Sequence, residues 1–179
     1  MSKLPLPAPD VSHSVQDVAL AELYPLMREI LDGGGSFTLT VTGTSMYPFI
    51  LGGRDRVTLS PLPKKLRKND LPLYRRGDGA FVLHRIVRME NDGTFSMCGD
   101  HQSMLEKGIR HEQLIAIATA YERKGRKLTN RNLLYRIYRV LWTWVLPYRY
   151  ILFRWNSRLR AAAARLLKKD THQRGSVQK

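Results

Sequence analysis

Three side chains in the first two thirds of this chain have the types and order needed for acyl transfer. They are Ser45, His84 and Asp100. Ser45 stands in Thr40-Val-Thr-Gly-Thr-Ser-Met-Tyr-Pro48, just after a β-branched run from Phe37 to Thr42. That run reads as a strand which breaks at Gly43. A serine past a strand end is accessible and close to free backbone N–H groups. Such a place suits a nucleophile with amide donors for an oxyanion. It equally suits a turn serine whose hydroxyl caps the local backbone. His84 lies in Val82-Leu-His-Arg-Ile-Val87, and Asp100 follows Gly99 in Met97-Cys-Gly-Asp-His101. Nucleophile, base and orienting acid would then follow one another along the chain. A histidine titrates near ~6.5 when unperturbed, so it can take a proton at neutral pH. Two plainer readings stand beside this one. His84 shares a strand face with Val82 and Ile86, as a satisfied core histidine would. Asp100 also fits a turn acid that accepts from backbone amides.

Taken together, Gly43-Thr-Ser-Met-Tyr-Pro48, Asn69-Asp70, Leu83-His-Arg-Ile-Val87 and Gly99-Asp100 resemble the ordered boxes of type I signal peptidases and the wider S24/S26 serine peptidases. The likeness runs from roughly Ser36 to Arg126, about half of the chain, and includes a separation of about forty residues between Ser45 and His84. It implies a serine endopeptidase in which Ser45 attacks and His84 is the general base. Asp100 would orient the histidine, with Gly43, Thr44, Met46 and Pro48 around the oxyanion and cleft. The backbone N–H of Ser45 would be one oxyanion donor, and a second would come from backbone or Thr44. Histidine at the base position resembles the endoplasmic-reticulum and archaeal type rather than the lysine type. That type carries further aspartates after its Gly-Asp box. Here the stretch is His101-Gln-Ser-Met-Leu-Glu106, which leaves Glu106 as the alternative to Asp100. In the resembled family Asn69-Asp70 is a structural corner, so Asp70 is assigned no chemistry. A catalytically inactive module of the same fold, holding a peptide, lipid or partner, is the competing expectation.

The elements that must carry these residues are short. Strands are expected at Phe37–Thr42, Arg56–Ser60, Leu71–Arg75, Ala80–Met89, Thr94–Cys98 and Leu114–Tyr121. Arg76-Gly-Asp-Gly79 and Asn91-Asp-Gly93 mark hairpin turns. This spacing predicts a mainly β fold, a partly closed barrel or β-ribbon domain. Apolar residues from Val15 to Leu31 recur at helical spacing until Gly33-Gly34-Gly35, with Pro25 kinking or restarting an amphipathic helix. Met46, Phe49 and Ile50 suit either the core or the cleft beside Ser45. The lone Cys98 permits no intramolecular disulfide, and reads as a buried strand residue or, less plainly, a nucleophile. No metal-ligand cluster or nucleotide loop is present in the sequence, and no cofactor is expected.

Charge is unevenly spread. The 179 residues carry a net +15. Up to Tyr121, 14 Lys/Arg offset 13 Asp/Glu; from Glu122 onward, 16 Lys/Arg face only Glu122 and Asp170. From Asn132 to about Lys169 an apolar stripe recurs every three or four residues, flanked by arginines and interrupted at Pro147. Basic amphipathic helices of this kind suit an anionic membrane surface, with Arg136, Arg139, Trp142, Trp144, Arg149 and Trp155 as the contacts. Packing of the stripe on the barrel is the second reading. Nucleic acid is the third, disfavoured by a tail rich in tryptophan and aliphatics. The longest uncharged run, Val140 to Tyr148, is well short of the ~20 residues a spanning helix needs. The expected organisation is a flexible arm over 1–14, a peptidase domain with its helix over 15–127, a basic helical region over 128–169 and a disordered tail over 170–179. Met1 to Ser14 lacks the apolar core of a signal peptide. The expectation is a cytoplasmic, peripherally membrane-associated protein.

Overall fold

The computed structural model describes residues 11–149. It is mainly β, with a curled half-barrel sheet and two helices. Helix α1 spans Val11–Asp32 and runs through Pro25. It starts earlier than the periodicity predicts, so residues 11–14 are helical, not an arm. Gly34 closes it at φ +79°, a backbone region that costs glycine least. The Gly35 N–H then reaches back to the Ile30 carbonyl at 2.9 Å. Met27 and Leu31 on this helix are buried in the main core, with Leu20 and Tyr24 packed against it.

Strands β1 (Phe37–Thr40), β2 (Arg56–Ser60), β3 (Pro72–Arg75), β4 (Phe81–Leu83), β8 (Leu114–Arg123) and β9 (Arg126–Thr129) form one antiparallel sheet. Its order is β1-β2-β8-β3-β4, and β9 also pairs with β8. Bulges fall at Thr58/Leu59 and at Leu73/Tyr74. Such bulges bend the strands that carry them and raise the twist. A second antiparallel sheet holds β5 (Arg85–Met89), β6 (Phe95–Cys98) and β7 (Glu106–Ile109), in the order β5-β6-β7. Val41, Met46, Phe49, Ile50, Val57 and Leu59 belong to the core of the first sheet, and Tyr74, Ile86, Phe95 and Met97 to a second cluster.

Two departures from the sequence pattern matter for the site. The run Ala80–Met89 is not one strand: it stops at Leu83 and resumes at Arg85, so His84 is the residue at which the chain leaves one sheet for the other. The strand expected at Leu114–Tyr121 runs on to Arg123, and Arg123-Lys-Gly-Arg-Lys127 holds the tip of the β8–β9 hairpin. Its central residues Lys124 and Gly125 both take left-handed φ, +49° and +74°, the pair that a two-residue hairpin turn requires.

Helix α2 spans Leu133–Trp144. The Asn132 side chain caps it by accepting from the Tyr135 N–H at 3.2 Å. The chain divides into two compact units, Met1–Thr143 and Trp144–Lys179. All but the last residue of α2 therefore belongs to the unit that holds the sheets. Of the second unit, residues 144–149 are described, and they contain a single 3₁₀ turn at Leu146–Tyr148. The expected helix beyond Pro147, the tail over 170–179, Trp155 and the arm over 1–10 lie outside the described residues. No helix among the described residues is long and apolar enough to cross a membrane.

Candidate active site

Strand β1 delivers the chain to Ser45. Two bonds tie the segment after β1 to the one before β2: Val41 N–H to the Asp55 carbonyl at 3.0 Å, and Gly53 N–H to the Val41 carbonyl at 2.8 Å. Gly43 then turns the backbone at φ +76°. Gly52 packs against that turn so closely that a Cβ there would lie 2.2 Å from the Gly43 carbonyl oxygen. The segment coils after the serine, with Tyr47 N–H on the Thr44 carbonyl at 3.0 Å and Ile50 N–H on the Met46 carbonyl at 2.9 Å. Met46, Phe49 and Ile50 anchor this coil in the core. Met46 also borders the cleft. Pro48, after a cis bond from Tyr47, does not line the cleft; its carbonyl accepts from Arg123 at 3.1 Å.

Ser45 and His84 open onto the same cleft, about 570 Å³ in volume. Its lining has a polar part that includes Gly43, Thr44, His101 and Gln102, and an apolar part that includes Leu39, Val57, Leu73 and Phe81. Gly99 lies between the two catalytic candidates. A Cβ at Gly99 would stand 2.6 Å from the Ser45 carbonyl oxygen and 3.1 Å from His84 Nε2. The two atoms are thus no farther apart than those distances combined, and only glycine fits between them. Next to it, the His101 N–H donates to the Ser45 carbonyl at 2.7 Å. Residues 99–101 therefore form a strap that holds the Ser45 backbone beside the imidazole. No hydrogen bond joins the Ser45 hydroxyl to His84 among the described residues. Such bonds are often long before substrate arrives. Among the described residues nothing accepts from the Ser45 N–H.

The other edge of the imidazole is fixed by a chain of polar groups. Arg76 clasps Glu106 through two bonds, Nε to Oε1 at 2.7 Å and Nη2 to Oε2 at 2.6 Å. The Tyr74 hydroxyl donates to Glu106 Oε2 at 2.8 Å, and its oxygen lies 3.2 Å from His84 Nδ1. A phenol has one proton, and here Glu106 takes it. The oxygen can therefore only accept from His84, which puts the ring proton on Nδ1. The tautomer follows from this network. It leaves the Nε2 lone pair on the Gly99 side of the ring. Burial lowers the His84 pKa to about 4; Glu106, 3.8 Å from Nδ1, pulls the other way without prevailing. The imidazole is therefore neutral at pH 7. For Glu106, burial favours the neutral acid, but Arg76 and the Tyr74 hydroxyl outweigh it and hold the carboxyl below its ordinary range. Burial, with the bond to Glu106, raises the Tyr74 pKa, so the phenol keeps its proton.

Asp100 is not the acid on the histidine. Its carboxylate pairs with Arg85, Nε to Oδ1 at 3.0 Å and Nη2 to Oδ2 at 2.9 Å, with both side chains fully buried. Asp100 also takes the Tyr138 hydroxyl at 3.1 Å and, on its carbonyl, Trp142 Nε1 at 2.8 Å. The physical reason is register. Arg85 and Cys98 are partners across β5 and β6, which sets the arginine near the strap that follows Cys98. Asp100 thus pins the strap, while Glu106 faces His84 through Tyr74. Cys98 is buried, with its thiol directed at the Gly99, Gln102 and Met104 carbonyls. Asp70 accepts from the Arg67 N–H at 2.8 Å and is a corner.

The residues expected at a membrane separate likewise. Arg136 and Trp144 are exposed. Trp142 is turned inward onto Asp100, Arg139 is half-buried 3.7 Å from Asp70, and Arg149 is buried.

Tyr74, Arg76, Gly52, Gly99 and Gln102 were not legible as site residues. The one available signal was chemical: a tyrosine in a buried strand needs a partner for its hydroxyl. Comparison of the chain with protein-family models, with curated proteins and with solved structures found no match.

Proposed function

We propose that this chain is a serine endopeptidase of the signal-peptidase-like class, with Ser45 as nucleophile and His84 as general base. The observation that carries the reading is the hydrogen-bonded series Arg76–Glu106–Tyr74–His84, which leaves an unprotonated Nε2 beside the serine strap. In this mechanism Ser45 Oγ attacks the scissile carbonyl while Nε2 takes its proton. The imidazolium so formed is stabilised by Glu106 across Tyr74. The Ser45 N–H donates to the oxyanion. Collapse expels the amine, which receives the proton from Nε2 and leaves an acyl ester on Ser45. Water then attacks that ester while Nε2 takes its proton, the bond to Ser45 Oγ breaks as Nε2 returns the proton to that oxygen, and the acid departs.

The substrate side of the proposal rests on the sheet edges. β1 and β4 end the order β1-β2-β8-β3-β4, and both contribute to the cleft wall. An extended peptide can pair with such an edge through its main chain while its side chains meet the apolar part of the lining. Purified protein given a defined peptide library and read by mass spectrometry tests the reading. Products from wild type and none from Ser45→Ala are expected; equal products from both would refute it.

A second reading keeps the cleft but not the chemistry. It is favoured by one observation, an imidazole whose pKa near 4 makes it a weak base. A non-catalytic peptide-binding module would bind members of the same library without turnover, and Ser45→Ala would bind them equally.

A further inference from the structure

We propose that the outer face of α2 is a docking surface for an anionic lipid bilayer. The helix is two-sided in an unusual sense. At 100° per residue, Tyr135, Tyr138, Arg139 and Trp142 fall on one side, and their polar atoms are used within the β-rich unit. Tyr135 OH meets Tyr121 OH at 2.8 Å, Tyr138 and Trp142 hold Asp100, and Arg139 reaches Asp70. The opposite side is aliphatic: Leu133, Leu134, Ile137, Val140 and Leu141, in an arc of about 120°. These five are 46% to 78% exposed. The more hydrophobic side of the helix therefore faces away from the sheets. Scattered apolar residues on a surface need no explanation, but a contiguous stripe along one helix marks an interaction site.

Charge identifies the occupant. Between Arg123 and Arg149 the chain carries eight Lys/Arg and no Asp/Glu. Lys124, Arg126, Lys127, Arg131 and Arg136 among them are exposed. At 100° per residue Arg136 falls next to the Val140 edge of the aliphatic arc, and an aliphatic stripe within so basic a stretch is complementary to acyl chains beneath anionic headgroups, where such a helix lies in the plane of the interface. A second copy of the chain would set cation against cation. Leu133, Ile137, Val140 and Leu141 belong to the apolar stripe of the sequence pattern; the difference lies in the aromatic and cationic contacts expected with it. The inward Trp142 and Arg139 take no part, and the aliphatics between the arginines form the surface. The inference is independent of the peptidase reading, because the same helix could dock whether or not Ser45 is reactive.

The test is flotation of the full chain with phosphatidylcholine vesicles and with vesicles containing phosphatidylglycerol, without any peptide. Wild type is expected to float with the anionic vesicles and to stay in solution with the neutral ones. The pair Val140→Glu and Leu141→Glu, introduced together, should weaken flotation tenfold or more. Met89→Glu, an exposed apolar residue on β5, should float as wild type does. Circular dichroism and thermal melting establish that each variant is folded. A wild type that stays in solution with both vesicles overturns the proposal, as does a folded double variant that floats within tenfold of wild type. A wild-type dimer that the double variant dissociates, without vesicle binding, also overturns it in favour of a second copy.

Discussion

Lowering the pH should destabilise this protein through His84, and the size of the effect follows from its burial. The folded imidazole has a pKa of about 4, while an unfolded histidine titrates near ~6.5. A depressed folded pKa means that the unfolded chain binds the proton first. Stability from a neutral His84 is thus complete above the unfolded value and is lost as pH falls through the folded one. Each pKa unit is worth about 1.4 kcal/mol, so the loss between pH 7 and pH 4 is about 3 kcal/mol. The site supports treating this figure as undiluted, since His84 is 2% exposed. The assay is denaturant unfolding of wild type and of His84→Gln, which cannot titrate, at intervals from pH 8 to pH 4. Other groups such as Glu106 lose stability over the same range, but they are present in both chains. Wild type should lose about 3 kcal/mol more than the variant. Parallel curves would refute the reasoning. His84 would then not be held neutral by burial, and the lone pair assigned to Nε2 would lose its basis. The same shift predicts that the acid limb of any cleavage activity lies near pH 4 rather than near ~6.5.

Tyr74→Phe removes the acceptor that fixes the histidine tautomer, and should lower kcat roughly 10- to 100-fold with KM little changed. Combining it with Glu106→Gln should cost less than the two separate effects together, since both act through one chain of bonds; additive losses would place Glu106 elsewhere in the mechanism. Asp100→Ala leaves Arg85 buried without its counter-charge and should destabilise the fold by roughly 3–5 kcal/mol, read by thermal or denaturant melting. If that variant instead keeps wild-type stability and loses cleavage alone, Asp100 acts on the reaction directly and not through the strap.

The strap explains why one glycine and one acid in the sequence were read at only half their meaning. Gly99-Asp100 stands out as a turn, and the turn is real. Its work is done by the atoms that a side chain at 99 would displace, the Ser45 carbonyl and His84 Nε2. Nothing in the local sequence announces a contact with a residue more than fifty positions earlier. The same holds for Glu106. It sits on a strand with no alternating pattern of its own, Glu106-Lys-Gly-Ile109, and so escaped notice as an element. It remained in view as an acid only because few others follow Gly99.

Local chemistry therefore determined a good deal. The β-branched runs, the hairpin glycines and the three-glycine stop specify a mainly β unit behind one helix, because strand alternation and left-handed turns are encoded within a few residues. The same local rules placed Ser45 just past a strand end, and the resemblance to signal peptidases made His84 its expected partner. Tertiary structure decided the rest. Sheet register put Arg85, not His84, against the Asp100 carboxylate, and β3 and β7 brought Tyr74 and Glu106 to the imidazole. It also decided which side of α2 is inward. Periodicity shows that a helix has two faces, but Asp100, whose buried carboxylate accepts from Tyr138 and whose carbonyl accepts from Trp142, chose the aromatic one, and left the aliphatic one outside.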